Sequence, residues 1–233
     1  DLYLPYKPKR KTRATVAIER GLEPLAQRIF AQKDRDVDTL AAQYITDEVP
    51  SVEDALQGAR DIIAEWVNED KKARDRVRRH FEKDAVIASR VAKGKETEGA
   101  KYRDYFEWSE KLASCPSHRL LAMRRGEEEG FLRVSIAPDE EMAVADLDRM
   151  FVTGNGETSG QVRLAVKDSY KRLLQPSIET EFRNSSKEKA DLEAIRVFTE
   201  NLRQLLLSAP LGEKRVLGID PGFRTGCKVV VLD

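Results

Sequence analysis

From Gly21 onward, apolar residues return every three or four positions, the spacing of helices that turn one face to a core. Leu22, Leu25, Ile29 and Phe30 form the first such set, and Leu40, Ala41, Tyr44 and Ile45 a second within Thr39–Ile45, separated by the polar break Lys33–Asp38. Ser51, followed by Glu53 and Asp54, supplies a hydroxyl cap and first-turn acids for a longer helix whose stripe runs through Leu56, Ala59, Ile62, Ile63 and Trp66. Asn68–Asp70 caps the next helix, which reaches Val77 and Phe81. Upstream, residues 1–20 hold Leu2, Tyr3 and Leu4, then Pro5 and Pro8 and a basic run, a pattern that predicts an extended linker.

Ala85–Ala92 fits a helix end and a short strand equally well. Tyr102, Tyr105, Phe106 and Trp108 crowd a helical segment after the polar loop 94–99, and a helix is expected from Ser117 to near Gly130. Phe131–Ile136 alternates apolar with polar as a strand does. Helices follow over Glu140–Val152 and Gln161–Leu174, where Pro176 interrupts or restarts the pattern, and Ser177–Ser208 is helical with one weak point at Asn184–Ser186, where Ser185 and Glu188 could re-cap it. At the end, Val216–Asp220 and Lys228–Leu232 are two apolar strands around an Asp-Pro-Gly turn.

Composition narrows the functional classes. With 41 basic and 41 acidic residues, the 233-residue chain has no net field to draw in a polyanion, so any contact with nucleic acid must come from local patches. No apolar run approaches the roughly 18 residues of a bilayer span, and no signal-peptide core is present, so a cytoplasmic protein without membrane contact is expected. Cys115 and Cys227 lack CxxC or histidine company, which argues against a zinc site or a disulfide framework. The first residue is Asp1 and the last hairpin has no further strands, a pattern expected of a piece of a longer protein.

Two places could carry chemistry. Asp220 ends an apolar strand, where ribonuclease-H-like nucleases place a carboxylate ligand of paired divalent ions; the alternative is an Asp that caps its own turn. A two-metal site needs carboxylates from later strands, so no metal site is expected in this chain, and Mg²⁺ enters only if a nuclease reading holds. Lys7, Lys9, Arg10, Lys11 and Arg13, flanked by Tyr3 and Tyr6, could neutralise phosphates, or form a solvated linker or a clamp on an acidic face of the same protein. The mixed run from Lys71 to Lys83 reads as a solvated helix face, His118 as a helix-start or packing residue, and Gly154–Gly160 as a turn.

Several stretches together carry a resemblance: DLYLPYKPKRKTRA at the start, GLEPLA from Gly21, GKETEGAKYRDYFEWSE from Gly94, PSHRLLAMRRGEEEGFL from Pro116, KRLLQPSIETEFR from Lys171 and LGIDPGFRTG from Leu217. They resemble the Tex family of bacterial transcription accessory proteins. The resemblance implies a mainly α chain: a basic linker (1–20), a multi-helical helix-turn-helix-like region with a short β element (21–210), and the first β-hairpin of a truncated ribonuclease-H-like domain (211–233). It further implies a helical scaffold of a protein that binds RNA or DNA, mainly through domains outside this chain. No enzymatic role is implied, and Asp220 becomes a candidate vestigial metal ligand. The alternatives are part of a metal-dependent resolvase-like nuclease, and a protein-interaction scaffold on RNA polymerase or the ribosome. The apolar hairpin is expected to pair with another strand edge, such as Phe131–Ile136 or a second copy, or to be poorly ordered.

Overall fold

In the computed structural model, which describes residues 11–222 and 226–233, the chain is mainly α with short β elements. It divides into a unit up to Asp191 and a second from Leu192. The first unit opens with α1 (Arg13–Glu19), α2 (Glu23–Ala31), α3 (Val37–Ala42), α4 (Val52–Glu69) and α5 (Lys71–Asp84). Their starts follow local chemistry: Thr12, Asp36, Ser51 and Asp70 each accept a hydrogen bond from the backbone N–H three residues on. The helix α1 corrects the extended reading of residues 1–20 over its length, because Thr12 and Thr15 form a reciprocal capping box that pattern reading overlooked.

A three-stranded sheet follows, with its first strand in chain order at the centre and both pairings antiparallel. Its strands are β1 (Val86–Val91), β2 (Glu107–Lys111) and β3 (Leu132–Ala137), so the undecided Ala85–Ala92 is a strand. The helical expectation around the aromatics holds only as a 3-10 helix, Ala100–Tyr105. Trp108 instead lies on β2, opposite Ser89, with its ring edge-on to Tyr105 at 6.3 Å. Ile87, Ser89, Leu132, Val134 and Ile136 face inward, while Arg90, Arg133 and Ser135 face outward, as period-two alternation requires.

Between β2 and β3, α6 (Ser117–Glu128) presses on the inner sheet face. A Cβ at Gly126 would stand 2.6 Å from Leu132 Cδ1, so any larger residue there would force the buried Leu132 side chain to shift. After β3 come α7 (Glu140–Phe151) and α8 (Glu157–Ser169). A π-type turn, Tyr170–Leu174, carries α8 into α9 (Gln175–Leu206) without a break in the helix, and Pro176, which has no N–H to give to the preceding turn, follows directly on that irregular turn. No break occurs at Asn184–Ser186: the Ser185 and Ser186 hydroxyls donate back to the carbonyls of Phe182 and Arg183 rather than capping a new helix.

One apolar cluster runs from Ala14 to Ala190 through these elements. Leu25, Ile29, Ile62, Ile63, Val162, Val166, Tyr170 and Leu174 are wholly buried within it, so the four-residue stripes of α2, α4 and α8 meet as their sequence spacing requires.

The second unit contains the later part of α9 and a hairpin of β4 (Val216–Gly222) and β5 (Gly226–Leu232). Of the partners expected for that hairpin, Phe131–Ile136 is corrected: β3 pairs with β1, and β4 pairs with β5 in a two-stranded sheet of their own. The reason lies at the outer edge of β3. Glu127 accepts from the Val134 N–H, Glu179 accepts from the Ile136 N–H, and Arg183 donates to the Val134 carbonyl, so that edge is already satisfied.

Candidate nucleic-acid interface

Of the basic cluster expected near the start, Lys7, Lys9 and Arg10 lie outside the described residues, as do Tyr3 and Tyr6. Lys11 forms an ion pair with Glu19 at 2.8 Å, which ties it to α1. The exposed Arg13 borders a depression of about 250 Å³ with Arg20, Asp54, Gln57 and Asp61. Burial raises the Asp61 carboxyl above its ordinary range, with Arg172 opposing that shift and Arg13 adding a smaller opposing effect. Lys11 and Arg13 therefore both have acidic neighbours on their own chain.

Asp220 is exposed on β4, directly across from Lys228 on β5. Among the described residues, no group of three or more His, Cys, Asp or Glu side chains is placed to hold a metal ion. His80 instead shares a 2.9 Å hydrogen bond with Asp146, which also pairs with Arg149. His118 is exposed in the first turn of α6. Burial pushes the Cys115 thiol up to about 12, with the neighbouring Glu110 adding to the effect, so this thiol is held in its protonated form at neutral pH.

The basic run of α5 is more than a solvated face. Arg78 donates to both Glu181 carboxylate oxygens on α9, and Arg74 reaches Glu181 and the Ser177 hydroxyl. Those hydrogen bonds, from Arg78 first and Arg74 second, hold the Glu181 carboxyl below its usual range. Arg183 on α9 likewise grips Glu127 of α6 through Nη2, at 2.5 and 2.6 Å. Arg172 links Asp168 with Asp61 of α4. These arginines hold helices together.

The outer sheet face differs. Arg90 on β1 stands directly opposite Arg133 on β3, both exposed, and the exposed Lys93 follows two residues beyond β1. Among the described residues none of the three has an acidic partner within ion-pair distance. The next cross-strand row is Ser109, Ala88 and Ser135, so a floor of small side chains lies beside the cations. Arg90, Lys93, Arg133 and Ser135 border a depression of about 600 Å³ there. Alternation along Phe131–Ile136 already places Arg133 and Ser135 on one face; the missing information was the register that brings Arg90 beside them.

Among the described residues, no helix is long and apolar enough to cross a membrane. Comparison with known proteins supplies the remaining information. Residues 32–198 match the family described as "Tex central region-like". The chain is 43% identical over its full length to Protein tex of Bordetella pertussis, and 40% identical over its full length to the transcriptional accessory protein Tex of Neisseria gonorrhoeae. It covers 32% of each, so it spans about a third of these relatives. Over 98% of its length it is also 31% identical to an S1 RNA-binding domain-containing protein 1 of Pongo abelii, of which it covers 24%.

Proposed function

Because the chain belongs to the Tex family, whose central region it contains, we propose that it is the helical scaffold of a nucleic-acid-binding transcription accessory protein in the cytoplasm. The observation that carries this reading is the use of charge in the first unit. Arg74, Arg78, Arg172 and Arg183 are spent on joining helices around one continuous core, an arrangement suited to holding binding elements in place. The printed names of the relatives supply the transcription and RNA associations. The basic segment containing Lys7, Lys9, Arg10, Lys11 and Arg13 adds phosphate contacts in this reading.

The hairpin is assigned as the opening of a ribonuclease-H-like sheet, with Asp220 as a vestigial metal ligand. Support comes from Leu217, Ile219 and Val229–Leu232, which carry apolar side chains on both faces of an exposed two-stranded sheet, the composition of strands built to be covered on both sides.

Fluorescence-anisotropy titration of the full-length protein against a single-stranded RNA and a duplex DNA tests the scaffold reading. Saturable binding to at least one is expected. Absence of binding to both, together with recovery of RNA polymerase or ribosomal proteins from nuclease-treated extract, would replace it with a protein-interaction scaffold. Mg²⁺-dependent cleavage of a branched substrate, abolished by Asp220→Asn, would replace it with a nuclease.

A further inference from the structure

We propose that the open face of the β2-β1-β3 sheet binds the sugar–phosphate backbone of a nucleic-acid strand, with Arg90 and Arg133 as its central contacts and Lys93 beside them. The inference rests on the nucleic-acid-binding reading above and gives it a location.

Like charges directly opposite one another on antiparallel strands repel, and such pairs destabilise a sheet. Arg90 and Arg133 occupy that relationship, with Cα atoms about 4.5–5.5 Å apart by strand geometry. Elsewhere in this unit, arginines brought near other elements meet carboxylates, as Arg183 meets Glu127 and Arg78 meets Glu181. On the open face, the only cross-strand acid is Glu107, on the far side of Arg90 from Arg133 and not within ion-pair distance of it. Glu107, directly across from Arg90 on β2, offsets part of that charge, so the excess of positive charge lies towards β3, where an anionic chain would relieve the repulsion between Arg90 and Arg133.

The shape is suited to a backbone. Ala88, Ser109 and Ser135 form a low floor beside the arginine row, with two hydroxyls able to donate to phosphate or ribose oxygens. Arginine forks match phosphate geometry. The tryptophan of β2 shares its cross-strand row with the inward-facing Ser89, so no aromatic ring from these strands is offered to a base on the open face. Recognition by this face is accordingly of the backbone and indifferent to sequence.

The test uses the full-length protein and a 20-nucleotide oligouridine in 0.1 M salt. Each phosphate contact on a single strand contributes a salt exponent of about 0.7, roughly fivefold in affinity at 0.1 M, so Arg90→Thr/Arg133→Thr should weaken binding about 25-fold. Threonine keeps the strand preference and removes the repulsion, so thermal stability should hold or rise. Arg90→Lys/Arg133→Lys keeps both charges but loses the fork, so its affinity should fall between those of the unmutated protein and the threonine variant. Arginine modification by phenylglyoxal, read by mass spectrometry, should show oligouridine protecting Arg90 and Arg133 of the unmutated protein; this readout needs no variant to fold. Unchanged affinity in the threonine variant, or equal modification with and without oligouridine, overturns the assignment even when the unmutated protein binds. Failure of the unmutated protein to bind RNA or DNA overturns the broader reading as well. An acidic protein segment as the true occupant would give the first of these results.

Discussion

Arg183 of α9 closes on Glu127 of α6 with both carboxylate oxygens within 2.6 Å of its Nη2, while its Nη1 donates to the Val134 carbonyl of β3 at 2.6 Å. One side chain thus joins two helices and protects a strand edge. Arg183→Leu leaves Glu127 without that partner and the Val134 carbonyl unbonded, and should cost about 2–4 kcal/mol. A lowered urea midpoint with an unchanged m-value would be the expected signature. An unchanged midpoint would mean that the clamp contributes nothing net.

Glu181 gives stability a definite pH dependence. Its folded-state pKa lies below the ordinary 4.5 because Arg78 and Arg74 bond the carboxylate. A depressed folded pKa adds stability that is complete above about pH 4.5 and disappears as pH falls through the lowered value. The side chain is 42% exposed, so solvent screening limits the gain to about 0.5–1 kcal/mol. Glu181→Gln should therefore be less stable than the parent at pH 7, and the difference should shrink on acidification. Denaturant midpoints at pH 7, 5 and 3.5 would check this; a difference that grows towards pH 3.5 would contradict it.

The two cysteines should separate by reactivity. Cys115 is half-buried with its thiol pushed up to about 12, whereas Cys227 is exposed on β5. At pH 8, iodoacetamide should alkylate Cys227 in the native protein and reach Cys115 only after denaturation, as peptide mass spectrometry would show. Early modification of Cys115 would mean that its surroundings are open to solvent.

Gly126 is retained inside α6 although glycine there costs about 1 kcal/mol relative to alanine in helix propensity. The reason is Leu132, whose Cδ1 and Cγ would lie 2.6 and 2.9 Å from an added Cβ. Gly126→Val should overpack the contact and lower stability by about 1–3 kcal/mol, measured as a fall in thermal midpoint. A neutral effect would show that α6 can move away from the sheet freely.

The helices with a clear four-residue stripe, α2, α4, α5 and α8, could be read from sequence because burial and helical period agree in them. Ser51 and Asp70 cap their helices as expected. Elements set by tertiary pairing were harder to read. Val86–Val91 becomes a strand because β2 and β3 flank it, and Trp108 leaves the helical segment to join the same sheet. The α1 capping box was hidden behind a basic, proline-containing approach. The candidate interface was half legible for the same reason: Arg133 and Ser135 follow from alternation, but their juxtaposition with Arg90 depends on a pairing 43 residues apart in sequence that no local pattern reports.

The most direct measurement of the scaffold account is the affinity of the full-length protein for a single-stranded RNA as salt is varied from 0.05 to 0.3 M, concentrations chosen so that counterion release dominates. A linear fall of log affinity with log salt, with a slope of about −2 or steeper, is the result predicted for a basic segment and an arginine-bearing sheet face acting on phosphates. A flat response would contradict it.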